Sequence, residues 1–254
     1  MKTVASSLLS ALFSFALWLS PLASAHGAPA CPGTPTAPLL SLPNLLSAVS
    51  HGTEGTIVAL GSSSTQGAMA SDLGHSYPAV LQQALSAGLP EAHVAVINRG
   101  IGGQDAAEEL SRLDADVLAV RPQLVIWQVG ANGALRNADP SVFRATVTTG
   151  VRRMQAAGAD VILMDNQQSP ALLAKAAEPV FDQELAQVAK ETGASLFSRR
   201  ALMLGWHHDG APLAQFIAAD GLHHNDRGYL CVAQSLAHAI LAGLAPGHRM
   251  TASR

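Results

Sequence analysis

Short, continuous apolar segments alternate with longer segments of helical periodicity along most of this 254-residue chain. Continuous apolar strands bounded by helices are typical of a parallel sheet that is covered on both faces. The pattern predicts an α/β domain, a three-layer α/β/α sandwich with a five-stranded parallel sheet in the flavodoxin-like order. The predicted strands are residues 56–60, 94–98, 124–129, 161–164 and 194–197. Helical spacing is clearest in residues 77–87, 105–120, 142–157 and 171–192.

The composition favours a single globular domain. Hydrophobic residues make up 48% of the chain and charged residues 13%, so a sizeable core can form and general disorder is excluded. Residues 26–40 are rich in Pro, Gly, Ala and Thr and predict an extended arm. We expect the domain to span residues 41–245 and a polar tail to occupy residues 246–254.

The N-terminus has the pattern of a secretory signal peptide. Lys2 precedes an apolar segment at residues 4–19, Pro21 breaks the helix, and Ala23-Ser24-Ala25 offers small residues for cleavage. We expect residues 1–25 to be removed and the protein to be exported, periplasmic or secreted, with no membrane span after cleavage. An uncleaved anchor and a lipoprotein acylated at Cys31 are the alternatives.

The chain has two cysteines, which is too few for a disulfide scaffold or a thiolate zinc site. Because an exported protein meets an oxidising compartment, we expect one disulfide between Cys31 and Cys231. The alternative is that Cys231 is a small buried hydrophobe and Cys31 is free or lipidated.

Polar groups and glycines follow the first three predicted strands. Three serines, Ser62-Ser63-Ser64, follow the first strand, and any of them could be a nucleophile held near a helix N-terminus. A Ser/Gly turn or a helix N-cap would have the same sequence. The second strand is followed by Gly100-Ile101-Gly102-Gly103, and the third strand is followed by Asn132. Backbone N–H groups of the glycines and the side-chain N–H of Asn132 could stabilise an oxyanion. Both segments also suit ordinary turns.

A carboxylate and an imidazole lie three residues apart near the C-terminus. Asp220 could accept the Nδ1 proton of His223 and leave Nε2 free to act on a serine. A surface Asp–His pair is the simpler alternative. Further histidines, among them His207 and His224, raise the question of a metal site, but they lack the i, i+4 spacing of a helical zinc site. We therefore expect no metal and no cofactor.

The order of these motifs resembles that of the SGNH hydrolases, the GDSL-like esterases and lipases. The resemblance runs from Gly61 to Tyr229 and implies the SGNH hydrolase fold. It selects Ser63 as the nucleophile, because the third residue of the family's first block has that role. It implies that Asp220 and His223 complete a triad. The implied oxyanion hole consists of the Ser63 N–H, the Gly103 N–H and the side chain of Asn132.

Two departures from the family pattern stand out. Ser62 occupies the position where Asp often precedes the nucleophile, and this position does not carry catalysis. Gly133 replaces the acidic or small residue that often follows the asparagine, and we expect it to loosen the loop that aims Asn132. Asp165-Asn166-Gln167 ends the fourth strand at the same edge of the sheet, so we expect these residues to line the substrate pocket.

The resemblance implies an exported serine esterase that hydrolyses small acyl esters, acetyl above all, through an acyl-enzyme. A lysophospholipase or thioesterase of the same fold is the nearest alternative, and a non-catalytic glycan-binding module is one from another class. The net charge of −3 does not favour electrostatic binding to nucleic acid. The expected partner is a small-molecule or glycan ester, and we expect a monomer.

Overall fold

The computed structural model describes residues 30–33 and 40–245. Its five strands all pair in parallel, in the order β2-β1-β3-β4-β5. This confirms the predicted flavodoxin-like sheet. The strands are β1 (Gly55–Gly61), β2 (Val94–Gly100), β3 (Leu124–Gln128), β4 (Asp160–Met164) and β5 (Ser195–Phe197).

Helices connect the strands and cover both faces of the sheet, as the right-handed crossovers of a parallel sheet require. The α-helices are α1 (Pro43–Ser50), α2 (Ser63–Gln66), α3 (Tyr77–Gly88), α4 (Ala106–Ser111), α5 (Leu113–Asp116), α6 (Ala131–Leu135), α7 (Pro140–Ala156), α8 (Pro170–Leu173), α9 (Glu178–Thr192), α10 (Arg199–His208) and α11 (Asp226–Leu244). Short 3₁₀ turns cover Leu73–His75, Leu118–Val120 and Leu213–Gln215.

The core is divided into two layers by the sheet. In β1, Ile57 and Ala59 belong to the apolar cluster that also contains α3 and α11, while Val58 and Leu60 belong to the cluster with α7 and α9. Successive side chains of a strand point to opposite faces, so a strand with helices on both sides is apolar at most of its positions. The continuous apolar segments in the sequence have this cause.

Two predicted helices are interrupted in the structure. Residues 105–120 form α4, α5 and a 3₁₀ turn, because the chain turns at Arg112, whose Nη2 donates to the carbonyl oxygen of Gly61 at 3.0 Å. Residues 171–192 form α8 and α9, and Pro179 lies in the first turn of α9. Proline has no N–H to donate and clashes with a preceding helical turn, so one continuous helix cannot form there.

A disulfide joins Cys31 to Cys231, whose Cα atoms are 5.4 Å apart. Cys231 is fully buried in α11, so the bond holds the described part of the arm against this helix. The predicted signal peptide at residues 1–25 and the tail at 246–254 lie outside the described residues. Among the residues that are described, no helix is both long and apolar enough to cross a membrane.

We predict that Cys31→Ser lowers the free energy of unfolding by about 2–4 kcal/mol, because the closed loop between the cysteines is long. The measurement is denaturant unfolding of protein exported to an oxidising compartment. Wild-type protein in reductant should unfold like the variant. Intact-mass measurement after alkylation supplies the control, and modification of both cysteines without reductant would contradict the bond.

Candidate active site

The three consecutive serines after β1 have different surroundings. Ser63 is the first residue of α2, and its Oγ lies 2.7 Å from Nε2 of His223. Ser62 is buried, and its hydroxyl donates to Oε1 of Gln128 at 3.4 Å. Ser64 is buried as well. Of the three hydroxyls, it is that of Ser63 that faces the imidazole.

Asp220 holds His223 in place from the loop before α11. Its Oδ2 lies 2.6 Å from Nδ1 of His223, and its Oδ1 accepts the backbone N–H groups of Leu222 and His223 at 2.9 and 3.0 Å. Burial tends to raise the pKa of Asp220, but these hydrogen bonds outweigh it and hold the pKa below its usual value. An ionised Asp220 keeps the proton on Nδ1, so Nε2 accepts the hydroxyl proton of Ser63.

The three N–H groups that the family resemblance assigns to an oxyanion hole each have a hydrogen with no acceptor among the described residues. Among the described residues, the backbone N–H groups of Ser63 and Gly103 have no protein acceptor. The Nδ2 of Asn132 donates one hydrogen to the carbonyl oxygen of Gln104 at 2.7 Å, which fixes the amide and leaves its second hydrogen for a ligand. Gly103 has a φ of +80°, which favours glycine, and Arg136 donates to its carbonyl oxygen at 2.6 Å.

In the described part of the chain, no three His, Cys, Asp or Glu side chains lie close enough together to hold a metal ion. That the chemistry needs no metal ion stays a prediction.

A sequence model of the non-GDSL lipase-like family matches residues 29–246. The chain belongs to the non-GDSL lipase-like family. The resemblance to SGNH hydrolases is thereby confirmed at the level of the family.

Three individual proteins that are similar to the chain share 22–32% sequence identity with it. Esterase TesA of Pseudomonas aeruginosa is 32% identical over 75 residues, which are 30% of this chain and 37% of the relative. A two-domain esterase active on acetylated mannans is 24% identical, with a TM-score of 0.69 over 80% of this chain and 54% of the other. The acetylxylan esterase Axe2 of Geobacillus stearothermophilus is 22% identical, with a TM-score of 0.61 over 75% of this chain and 94% of the other. The solved structures share the fold, and the chain spans about half the length of the two-domain esterase.

Within this member of the non-GDSL lipase-like family, Gly133 does not loosen the loop that carries Asn132. Both residues lie in α6, and Gly133 is buried against Phe181 of α9. A Cβ atom built at Gly133 would lie 2.6 Å from Cε1 of Phe181, closer than real contacts allow. The glycine is required for the close packing of α6 on α9, and the expectation of a loosened loop is wrong.

Three polar side chains to which the sequence analysis assigned no role hold the segment around Ser63. Arg112 donates to the carbonyl oxygen of Gly61, and Asn98 donates to that of Thr65 at 2.9 Å. Gln128, at the end of β3, accepts the hydroxyl of Thr65 at 3.1 Å. Of these three residues, Gln128 is the one that the sequence could have indicated, because it is a polar residue at the end of an otherwise apolar strand.

The residues predicted to line the substrate pocket are almost fully buried. Asp165, Asn166 and Gln167 are 4%, 0% and 1% exposed, so most of each side chain contacts protein. Asp165 accepts the backbone N–H of Arg200 at 3.1 Å. Gln167 donates from Nε2 to the carbonyl oxygen of Leu222 at 2.9 Å. Asp165 and Gln167 connect the strand end to α10 and to the loop that carries His223, whereas the side-chain amide of Asn166 has no partner among the described residues.

Two acidic side chains near this strand end have a pKa above the value that they would have in an unfolded chain. Burial raises the pKa of Asp165 to about 6, against opposing hydrogen bonds from Ser198 and Arg200. Burial, followed by the negative charges of Asp165 and Glu178, also raises the pKa of Asp182. A raised carboxyl pKa means that the folded state binds the proton more tightly than the unfolded state.

We therefore predict that the contribution of these two carboxyl groups to the free energy of unfolding is largest near or below pH 4. This contribution falls as the pH rises through 6 and above. Asp182→Asn should reduce the loss between pH 5 and pH 8 by about 1–2 kcal/mol. Urea unfolding at several pH values measures it. Glu91→Gln, at an exposed position, is the control and should leave the slope unchanged. An unaltered slope for Asp182→Asn would rule out this origin of the pH dependence.

Proposed function

We propose that this protein is an exported serine esterase, periplasmic or secreted, that hydrolyses esters of small acyl groups, acetyl above all. The observation that carries the proposal is the continuous line from Ser63 Oγ through His223 to Asp220, with distances of 2.7 and 2.6 Å. A hydroxyl, an imidazole and a carboxylate in hydrogen-bonding contact are the parts that acyl transfer needs. The signal-like N-terminus and the disulfide support export.

The proposed reaction has two halves. His223 takes the proton from Ser63 as its Oγ attacks the ester carbonyl carbon, and the same proton then passes from Nε2 to the leaving alkoxide. Water next attacks the acyl-enzyme with His223 again as base, and His223 gives the proton of that water to Ser63 Oγ as the acyl–oxygen bond breaks and the acid is released. In both halves the carbonyl oxygen becomes negative, and the N–H groups of Ser63, Gly103 and Asn132 would stabilise it.

The small acyl group is supported by the relatives. Among similar structures, one is described as active on acetylated mannans and another as an acetylxylan esterase. A lysophospholipase or thioesterase would use the same triad on longer acyl chains. A glycan-binding module would need no triad, so the aligned Ser63, His223 and Asp220 favour an enzyme.

The test is hydrolysis of p-nitrophenyl esters by the exported full chain. We expect turnover of the acetate, a higher kcat/KM for acetate than for octanoate, and inactivation by a fluorophosphonate. EDTA should have no effect. Faster turnover of octanoyl thioester or lysophospholipid would assign the alternative activity, and absence of any ester hydrolysis would contradict the proposal.

We predict that Gln167 is a positioning residue, because its Nε2 donates to the carbonyl oxygen of Leu222, the residue next to His223. Gln167→Leu should lower kcat for p-nitrophenyl acetate about tenfold and leave KM within about twofold, since the substrate does not touch this buried amide. Gln155→Leu is the matched control: its Nε2 donates to the carbonyl oxygen of Thr192 at 3.0 Å, outside the triad. Equal effects of the two variants would show that Gln167 is only structural.

A further inference from the structure

The guanidinium group of Arg112 connects two separate segments of the candidate active site. Its Nη2 donates to the carbonyl oxygen of Gly61, the last residue of β1, at 3.0 Å. Its Nε donates to Oε1 of Gln104, in the loop after β2, at 2.6 Å. Its Nη1 pairs with Oδ2 of Asp116, four residues further along, at 2.7 Å. Each nitrogen of this side chain therefore has an acceptor, and the side chain is only 12% exposed.

Each of the two distant contacts lies next to a proposed oxyanion donor. Gly61 is two residues before Ser63, whose backbone N–H has no acceptor among the described residues. Gln104 directly follows Gly103, and its carbonyl oxygen accepts from Nδ2 of Asn132 at 2.7 Å. One side chain thus joins the segment that carries the nucleophile to the residue that fixes the amide of Asn132.

Other contacts of the loop after β2 are weaker or more exposed. The backbone N–H of Gln104 lies 3.4 Å from the carbonyl oxygen of Ile101, beyond the usual range for such a hydrogen bond. Arg136 donates to the carbonyl oxygen of Gly103, but half of its side chain is exposed to water. The hydrogen bond from Arg112 is the shortest of those that hold Gln104.

We propose that Arg112 is a positioning residue that sets the separation of the oxyanion donors, and that it acts on Asn132 through Gln104. The inference rests on the proposed esterase function. A donor must lie about 2.7–3.1 Å from the developing oxyanion, so a small displacement slows the reaction without preventing substrate binding. Arginine suits this position because its planar group presents several donors in fixed directions, whereas lysine has one nitrogen on a flexible chain.

Arg112→Lys keeps the positive charge but cannot make the three contacts at once. We expect kcat for p-nitrophenyl acetate to fall about 10–100-fold and KM to stay within about threefold. The inhibition constant of methylboronic acid should rise by a similar factor, because its adduct with Ser63 places a negative oxygen among the same donors. The midpoint of the pH dependence of kcat/KM should not move, since Arg112 makes no contact with His223.

Arg144→Lys is the matched control for this variant. The guanidinium of Arg144 also joins two elements, because it pairs with Glu184 and Glu191 of α9 from its position in α7. It has no printed contact with the triad or the oxyanion donors, so its replacement by lysine should leave kcat, KM and the inhibition constant within about twofold of wild type.

Two further variants test the route through Gln104. Gln104→Met removes the acceptor for Arg112 with little change in volume and should lower kcat about tenfold. Asn132→Ala should lower kcat by about 10²–10³-fold on its own, as expected for the loss of one oxyanion donor. In the Asn132→Ala background, Gln104→Met should cost no more than about twofold, because the donor that Gln104 places is already absent.

The inference and the proposed function fail in different ways. If Arg112→Lys lowers kcat no more than Arg144→Lys does, Arg112 does not position the donors. A full loss for Gln104→Met in the Asn132→Ala background would overturn the route through Asn132. Titration of active sites with a fluorophosphonate counts the folded molecules, and fewer sites with an unchanged kcat per site would show that Arg112 is only structural. Absence of ester hydrolysis by the wild-type chain would contradict the esterase function itself.

Discussion

Ser63→Ala is expected to lower kcat/KM for p-nitrophenyl acetate by about 10⁴–10⁶-fold, the scale on which serine hydrolases lose activity when the nucleophile is removed. The hydroxyl of Ser63 is the one of the three that contacts His223, so no neighbour can replace it. Steady-state kinetics measure the loss. Unchanged thermal unfolding would show that the variant is folded.

The neighbouring serines are the matched controls for this prediction. Ser62→Ala and Ser64→Ala should keep most of the activity, because the hydroxyl of Ser62 is directed to Gln128 and Ser64 is buried. Fluorophosphonate labelling followed by peptide mass gives a second readout. A label on Ser62 or Ser64 would contradict the assignment of the nucleophile.

His223→Ala is expected to cause a loss of similar size, about 10⁴–10⁶-fold, because the base and the nucleophile act as a unit. The double variant with Ser63→Ala should be no less active than either single variant. If the two losses multiply instead, the residues do not act in one step.

His224 is the control for this second prediction, and its surroundings determine the choice of variant. It is fully buried, its Nδ1 lies 3.1 Å from the carbonyl oxygen of Phe216, and burial lowers its pKa to about 3. A neutral histidine in this setting donates from Nδ1 to that carbonyl. His224→Asn keeps a donor at that position, so it should retain activity per folded molecule. A loss equal to that of His223→Ala would implicate His224 in the chemistry.

The sheet was predictable because its determinants are local. Most strands are short, nearly continuous apolar segments, the pattern typical of strands covered on both faces, so strand positions and fold class could be predicted from the sequence. The strand limits differ by a residue or two, as at β3 and β5. The two interrupted helices were not predictable from periodicity. Their turns depend on Arg112 reaching Gly61, a contact between distant elements, and on Pro179 outweighing the apolar spacing around it.

The motifs of the candidate site were predictable for a related reason. Strand ends of a parallel sheet meet at one edge, so Ser63, Gly103 and Asn132 were expected there from chain order alone. The direction of each side chain was not predictable. Asp165, Asn166 and Gln167 follow a strand at the same edge but are turned inward.

By itself, then, the sequence determined the sheet and the order of the motifs, and through the family resemblance it selected one serine and one Asp–His pair. The tertiary structure decided which serine hydroxyl meets the imidazole, why position 133 must be glycine against Phe181, and how Arg112 joins Gly61 to Gln104. The physical reason is that periodicity reports whether a residue is buried. The partner that a polar atom finds depends on atoms brought close only by folding.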